Sequence, residues 1–170
     1  MDAESLLERQ RNGVKAVFVK PQGCCPPIAW IKTLNYLPSI MGKAQAEKKG
    51  ADEGIFVNND GFVTEATGAN LFIVTRSNVI KTAPIYEGLS GKGVLGGIIR
   101  GVVIKESGKL GIALKETDIR PSDLLCAKEA FITNSCIDVC PLVAVDNAAI
   151  GDGSPGKITR VIQRALGLDV

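Results

Sequence analysis

Apolar and polar positions alternate along this chain in short segments that can be read one element at a time. "DAESLLERQRNG" begins acidic and stops at Gly13, the marks of a short helix, and "VKAVFV" behind it reads as a strand. "KPQGCCPP" is a loop. From Thr33 to Lys49 the spacing of Leu37, Ile40, Met41 and Ala44 predicts a helix with those residues on a buried face, Pro38 in an early turn and Gly50 as terminator. "EGIFV" and "FVTE", separated by Asn58, Asn59, Asp60 and Gly61, predict a hairpin, and "NLFIVTR" and "NVIKT" continue the β-rich region. "GIIRGVVIKESGKLG" has helical spacing, "IALKE" is a strand, and "PSDLLCA" is a brief helix started by Pro121. The strands "EAFITN" and "PLVAVD", a turn from Gly151 to Gly156 and a last helix "KITRVIQRAL" complete the chain. Runs of strands with interspersed helices favour an α+β fold over a regular βαβ repeat.

Composition narrows the function classes. The 170 residues suffice for one domain, 1–170, in which 1–30 form a lead-in helix and strand. Twenty basic and eighteen acidic residues leave a net charge of +2, with no long run of either sign. Nothing in that balance asks for nucleic acid or an acidic membrane. No segment reads as a membrane span or a signal or transit peptide, so the default expectation is a cytoplasmic protein, with an organelle open if the N-terminus is truncated.

Histidine is absent, which removes imidazole bases and the commonest metal ligand. Chemistry then falls to Lys, Glu, Asp, Tyr, Cys or a borrowed cofactor. Five cysteines argue against a disulfide framework, and Cys136 and Cys140, at i, i+4 without a second thiol pair, read as buried structural thiols rather than a metal site.

"GLSGKGVLGGIIRG" contains G-x-G-x-x-G at Gly91, Gly93 and Gly96. Glu116 lies twenty residues beyond Gly96, where a dinucleotide fold places its ribose-binding acid, but "NVIKT" ends at Thr82, too far upstream for the tight strand-to-helix turn. A helix start at Gly97 to Ile99 could instead face one phosphate, or be an ordinary helix start after a flexible loop. Lys32 lies between apolar residues in "AWIKTLNYL", an expensive setting unless the amine is paired or chemically used; a strand-end lysine that snorkels is the alternative. Glu65 in "GFVTEATGANLF" poses the same question, with an exposed edge-strand acid as the alternative.

"IKTLNYL", "DGFVTEATGANLFIV", "LGGIIR", "AKEAFITNSCIDVCPLVAVD" and "IGDGSPGKITR" resemble, in order and nearly in spacing, the class IV pyridoxal-phosphate-dependent aminotransferases, the branched-chain and D-amino-acid aminotransferases and aminodeoxychorismate lyase among them. The resemblance runs from about Ile31 to the last helix. It implies a large cofactor-binding domain, a mixed β pseudo-barrel with flanking helices, without the N-terminal small domain of roughly a hundred residues. It implies pyridoxal 5′-phosphate as cofactor, an amino acid and a 2-oxo acid as substrates, and a homodimer. Lys32 would bind the cofactor's aldehyde as an imine and then carry the substrate proton, and Glu65 would pair with the pyridine nitrogen.

Tyr36 would approach the phenolic oxygen, a surface helix residue being its alternative, and Leu95 would pack on a ring face. The amides of Gly97, Ile98 and Ile99 would face the phosphate. Ser135 would add a hydroxyl, unless it is a simple turn serine, and the amides of Cys136 and Ile137 would face a substrate carboxylate. Ile99 stands where the family has threonine and Ala66 where it has glycine, and Leu89-Ser90-Gly91 is a competing register for the Leu-x-Gly motif. The implied reaction is transamination of a branched-chain or D-amino acid. Alternatives are a lyase like aminodeoxychorismate lyase, or a truncated or non-catalytic domain of the fold.

Overall fold

The computed structural model describes residues 2–19, 31–85 and 94–168. The "KPQGCCPP" loop with Cys24 and Cys25, the glycines Gly91 and Gly93, and the competing register at Leu89-Ser90-Gly91 lie outside those residues. The elements in chain order are α1 (Ala3–Asn12), β1 (Val14–Val19), α2 (Leu37–Lys48), β2 (Glu53–Val57), β3 (Val63–Ala66), β4 (Asn70–Val74) and β5 (Ile80–Thr82), followed by α3 (Ile98–Lys109), β6 (Leu114–Glu116), α4 (Pro121–Leu125), β7 (Glu129–Asn134), β8 (Asp138–Val145), β9 (Ala148–Ala149) and α5 (Lys157–Ala165).

Six strands close on themselves in the order β3-β2-β1-β8-β7-β4, because β3 also pairs with β4. The pairs β1–β2 and β1–β8 are parallel and the others around the barrel are antiparallel. This is the expected mixed β pseudo-barrel with flanking helices. One register pair, Glu65 opposite Asn70, makes the closing contact, after a turn in which the Ala66 amide donates to Ala69 O at 2.8 Å. Beyond Asn70, β4 pairs with β5, and β5 with β6.

Strand alternation divides the apolar residues between two faces. Val14, Ala16, Ile55, Leu71, Ile73, Ala130, Ile132, Cys140 and Leu142 form one cluster drawn from β1, β2, β4, β7 and β8, the barrel interior. On the outer face of β4, β7 and β8, Phe72, Phe131 and Val139 pack with Val103 of α3 and Ile162 of α5, the two phenyl rings stacked at 4.9 Å. A third cluster joins Val17 and Val19 of β1 and Phe56 of β2 to Ala46 of α2.

Two expectations for α2 are corrected. The helix begins at Leu37 rather than Thr33, which leaves Pro38 in its first turn, where a proline costs no hydrogen bond. Its buried residues are Gly42 and Ala46, whereas Leu37 and Ile40 are about 60% exposed and Ala44 is exposed too. Gly42 lies against β2 so closely that a Cβ would come within 2.8 Å of the Phe56 ring. The face that packs is the one with the smallest side chains.

The ends of the chain are tied together at α1. Asp2 caps this helix by accepting from Ser5 N at 2.8 Å, and Gly13 leaves it with a φ of 82° that favours glycine. Buried Gln163 of α5 donates to Gln10 O at 2.9 Å and to Val139 O at 3.0 Å, and Arg160 also reaches Gln10 O. α5 is itself capped from β7: buried Glu129 accepts from Ile158 N, Thr159 N and Thr159 Oγ1 at 3.1, 2.8 and 2.9 Å.

Candidate active site

The sheet brings Glu65 to the closing edge of the barrel beside the segment that leads into α3. Glu65 Oε2 accepts from Leu95 N at 3.1 Å and from Asn70 Nδ2 at 3.3 Å. It is not the exposed edge-strand acid that one reading of the sequence allows. Burial pushes its carboxyl up from 4.5 to about 7, against the Leu95 amide and the Arg100 guanidinium, which both pull it down. A group with that affinity holds a proton near neutrality and can share it with a basic nitrogen.

Two residues beyond Leu95, α3 starts at Gly97 in extended conformation, and no described side chain caps it. The first amides of such a helix lack intrahelical acceptors, and its dipole favours an anion. Gly97 N itself is engaged with Leu95 O at 2.8 Å. Ile98 is 76% exposed, whereas Ile99 turns inward and packs on the Phe72 and Phe131 cluster. A core contact therefore takes the position at which the sequence resemblance leads one to expect a threonine.

Arg100 is buried beneath this turn, where Nη2 donates to Ala83 O at 2.9 Å and pairs with Glu116 at 2.5 Å. Glu116, the acid that a dinucleotide reading would place on a ribose, is thus the partner of Arg100.

Lys32 lies four residues before Tyr36, the residue that leads into α2. Both are exposed, and the apolar neighbours that made Lys32 look desolvated are exposed too, Ile31 at 42% and Leu34 at 96%. Among the described residues the apolar surround expected for Lys32 is not formed, and Ala29 and Trp30 lie outside them. Ser135, Cys136 and Ile137 form the β7–β8 turn, with Ser135 exposed. The amides of Cys136 and Ile137 already donate to Asn134 Oδ1, at 2.8 and 2.9 Å. Asn134 Nδ2 donates to Gly68 O at 2.7 Å, which fastens this turn to the loop after Glu65.

Of the two cysteines expected to be buried, Cys140 is, with its thiol pushed up to about 12 by burial, and Cys136 is exposed because it sits in the turn. A cavity of about 170 Å³ beside the turn is lined by Arg9, Asp52, Glu53, Asn134, Cys136 and Cys140 among others. Its charges partly neutralise one another, with Arg9 3.4 Å from Asp52.

The structure therefore joins Glu65, Leu95 and Gly97 in one continuous set of hydrogen bonds. Sequence reasoning missed Asn70, which bonds to Glu65 and Leu95, Asn134, which ties the β7–β8 turn to Gly68, and Arg100, whose charge acts on Glu65. Their signal was present, since Asn70 is a polar residue opening the otherwise apolar strand "NLFIV". No helix among the described residues is long and apolar enough to cross a membrane.

Comparison with known proteins agrees with the fold. The family model for amino-transferase class IV matches residues 5–145. A Methanocaldococcus jannaschii protein provisionally named a branched-chain-amino-acid aminotransferase is 38% identical over 156 residues, covering 89% of this chain and 51% of that protein. The D-alanine aminotransferase of Bacillus licheniformis is 34% identical over 163 residues, covering 94% of this chain and 53% of its own length.

Among solved structures, the branched-chain amino acid aminotransferase of Escherichia coli aligns with a TM-score of 0.82 at 30% identity, over 94% of this chain and 52% of that one. A Legionella pneumophila protein provisionally named a 4-amino-4-deoxychorismate lyase aligns with the same TM-score at 26% identity, over 93% of this chain and 56% of that one. The chain thus spans about half the length of the curated relatives it matches. With that family match over most of its length and relatives more than 30% identical, the chain belongs to the class IV aminotransferase family.

Proposed function

We propose that this chain is the cofactor-holding part of a pyridoxal-phosphate-dependent transaminase that moves an amino group from a branched-chain or D-amino acid to a 2-oxo acid, as a homodimer. The observation that carries this reading is the bond from Leu95 N to Glu65 Oε2 at 3.1 Å, which sets an acid with a raised proton affinity two residues from an uncapped, glycine-opened helix start. An acid for a pyridine nitrogen and an anion site for a phosphate, held side by side, fit a phosphorylated pyridine. When bound, that cofactor supplies an electron sink and carries the amino group between substrates.

Each residue then has a definite part. Lys32 would hold the cofactor through its exposed amine, which would also serve the proton at the substrate α-carbon. Glu65 holds the proton at the pyridine nitrogen. Tyr36 donates to the phenolic oxygen, and Leu95 covers a ring face. The first amides of α3, at Ile98 and Ile99, receive the phosphate, with Gly97 allowing close approach and Ser135 adding a hydroxyl. The amides of Cys136 and Ile137 serve a substrate carboxylate once Asn134 Oδ1 yields or shares them.

The test is a visible spectrum on adding pyridoxal 5′-phosphate to wild type and to Lys32→Ala. A new band that requires Lys32 is expected, and its absence in wild type would overturn the reading. Turnover with L- and D-amino acids against 2-oxo acids then decides the substrate. The equal structural likeness to the lyase-named protein makes C–C/C–O bond cleavage with release of pyruvate the second reading, and pyruvate without amino transfer would select it.

A further inference from the structure

Asn70 is 5% exposed and opens β4 opposite Glu65 on one side and Thr133 of β7 on the other. Its single amide nitrogen donates twice, to Glu65 Oε2 at 3.3 Å and to Leu95 O at 2.8 Å. Leu95 N returns to the same Glu65 oxygen at 3.1 Å, and Leu95 O also accepts from Gly97 N at 2.8 Å. The other end of the Asn70 amide fills the space where a side chain on Gly97 would be, since a Cβ there would lie 2.1 Å from Asn70 Oδ1. One side chain therefore touches the acid, the segment beside it and the start of α3.

We propose that Asn70 is a positioning residue that fixes the distance between the Glu65 carboxylate and the first turn of α3, so that the site accepts a phosphorylated pyridine in a single register. The inference rests on the cofactor reading above, but the bridge itself belongs to the cofactor-free protein. Only an amide suits this bridge, because an aspartate of the same shape has no donor and would present a third acceptor to Glu65 and Leu95 O. Gly97 is the counterpart, because only a residue without Cβ lets the Asn70 carbonyl sit against the helix start.

Asn70→Asp keeps the shape and removes the donor, Asn70→Ala removes both, and Asn70→Ser is the milder variant should either fail to fold. Arg100, whose guanidinium also acts on Glu65 and is held by Ala83 O and Glu116, stays unchanged in all three. Affinities for pyridoxal 5′-phosphate and for unphosphorylated pyridoxal are read by absorbance titration. The expected result is a loss of about tenfold for the phosphorylated form in both Asn70→Asp and Asn70→Ala, with a smaller loss for pyridoxal.

In the cofactor-free protein, carbon NMR of the Glu65 carboxyl should show its titration midpoint moving up in Asn70→Asp. Melting temperatures should show Gly97→Ala costing much less in the Asn70→Ala background than alone, a non-additivity expected only for groups in contact. A wild-type-like affinity ratio and Glu65 midpoint in Asn70→Asp, or additive melting shifts, would overturn the proposal. Should wild type bind no cofactor, the transaminase reading fails by itself, and the NMR midpoint and the melting cycle still decide whether Asn70 bridges the two sites.

Discussion

Glu65 is an acid whose surroundings hold its proton more tightly than water does, and this has a consequence for stability that can be measured without any cofactor. Its carboxyl titrates near 7 in the fold against 4.5 as the ordinary value. Between those values the folded chain keeps a proton that the unfolded chain has released, so stability falls as pH rises through that window and levels off above it. Glu65→Gln removes the titration. Melting curves should show the variant gaining on wild type from pH 5 to pH 7.5, by about 3 kcal/mol at the upper end, with no gain below pH 4.5. Ile99 poses the complementary case, since its side chain is engaged in the Phe72 and Phe131 cluster. Ile99→Thr should lower stability by about 1 kcal/mol while tightening phosphate-dependent cofactor binding about tenfold, read by denaturant titration and absorbance titration together.

At the scale of elements, α5 depends on an acid from another strand. Glu129 satisfies two backbone amides and the Thr159 hydroxyl at the start of this helix. Glu129→Ala should cost about 2 kcal/mol or more, and Gly156→Ala should also destabilise, because its Cβ would lie 2.0 Å from the Glu129 carboxyl carbon. Urea unfolding midpoints check both. This cap illustrates what the sequence conceals: the helix "KITRVIQRAL" is plain in its periodicity, but its partner lies 30 residues earlier in a strand. The hairpin at Asn58 to Gly61 and the strands from "NLFIVTR" to "NVIKT" were legible for the opposite reason, since their signals are local. The face of α2 was misread because a hydropathy pattern counts large apolar residues, and here the contact is made by Gly42 and Ala46. β8 begins at Asp138, three residues before the proline that seemed to start it, since a β7–β8 ladder with five register pairs outweighs the break at Pro141. In the site, the helix start and Glu65 were readable as types of residue, while the polar bridges of Asn70, Asn134 and Arg100 exist only once the strands are paired.

Over the whole molecule, exposed apolar side chains concentrate around the start of α2: Ile31, Leu34, Leu37 and Ile40, with Tyr36 among them. They add nothing to the three core clusters, so Leu37→Gln with Ile40→Gln should leave the melting temperature nearly unchanged, within about 0.5 kcal/mol, and should reduce binding of a hydrophobic dye. A large loss of stability would show that this surface is part of the core after all. The β3–β4 edge is fastened by one register pair, Glu65 with Asn70, the fewest of any strand pair around the barrel, and this clasp is the seam least held by the ladder. A ligand seated across that pair keeps the clasp shut, adding stability that grows with the logarithm of its concentration. Amide hydrogen exchange at that seam should therefore slow as such a ligand is added, while exchange in the β7–β8 ladder stays as it was.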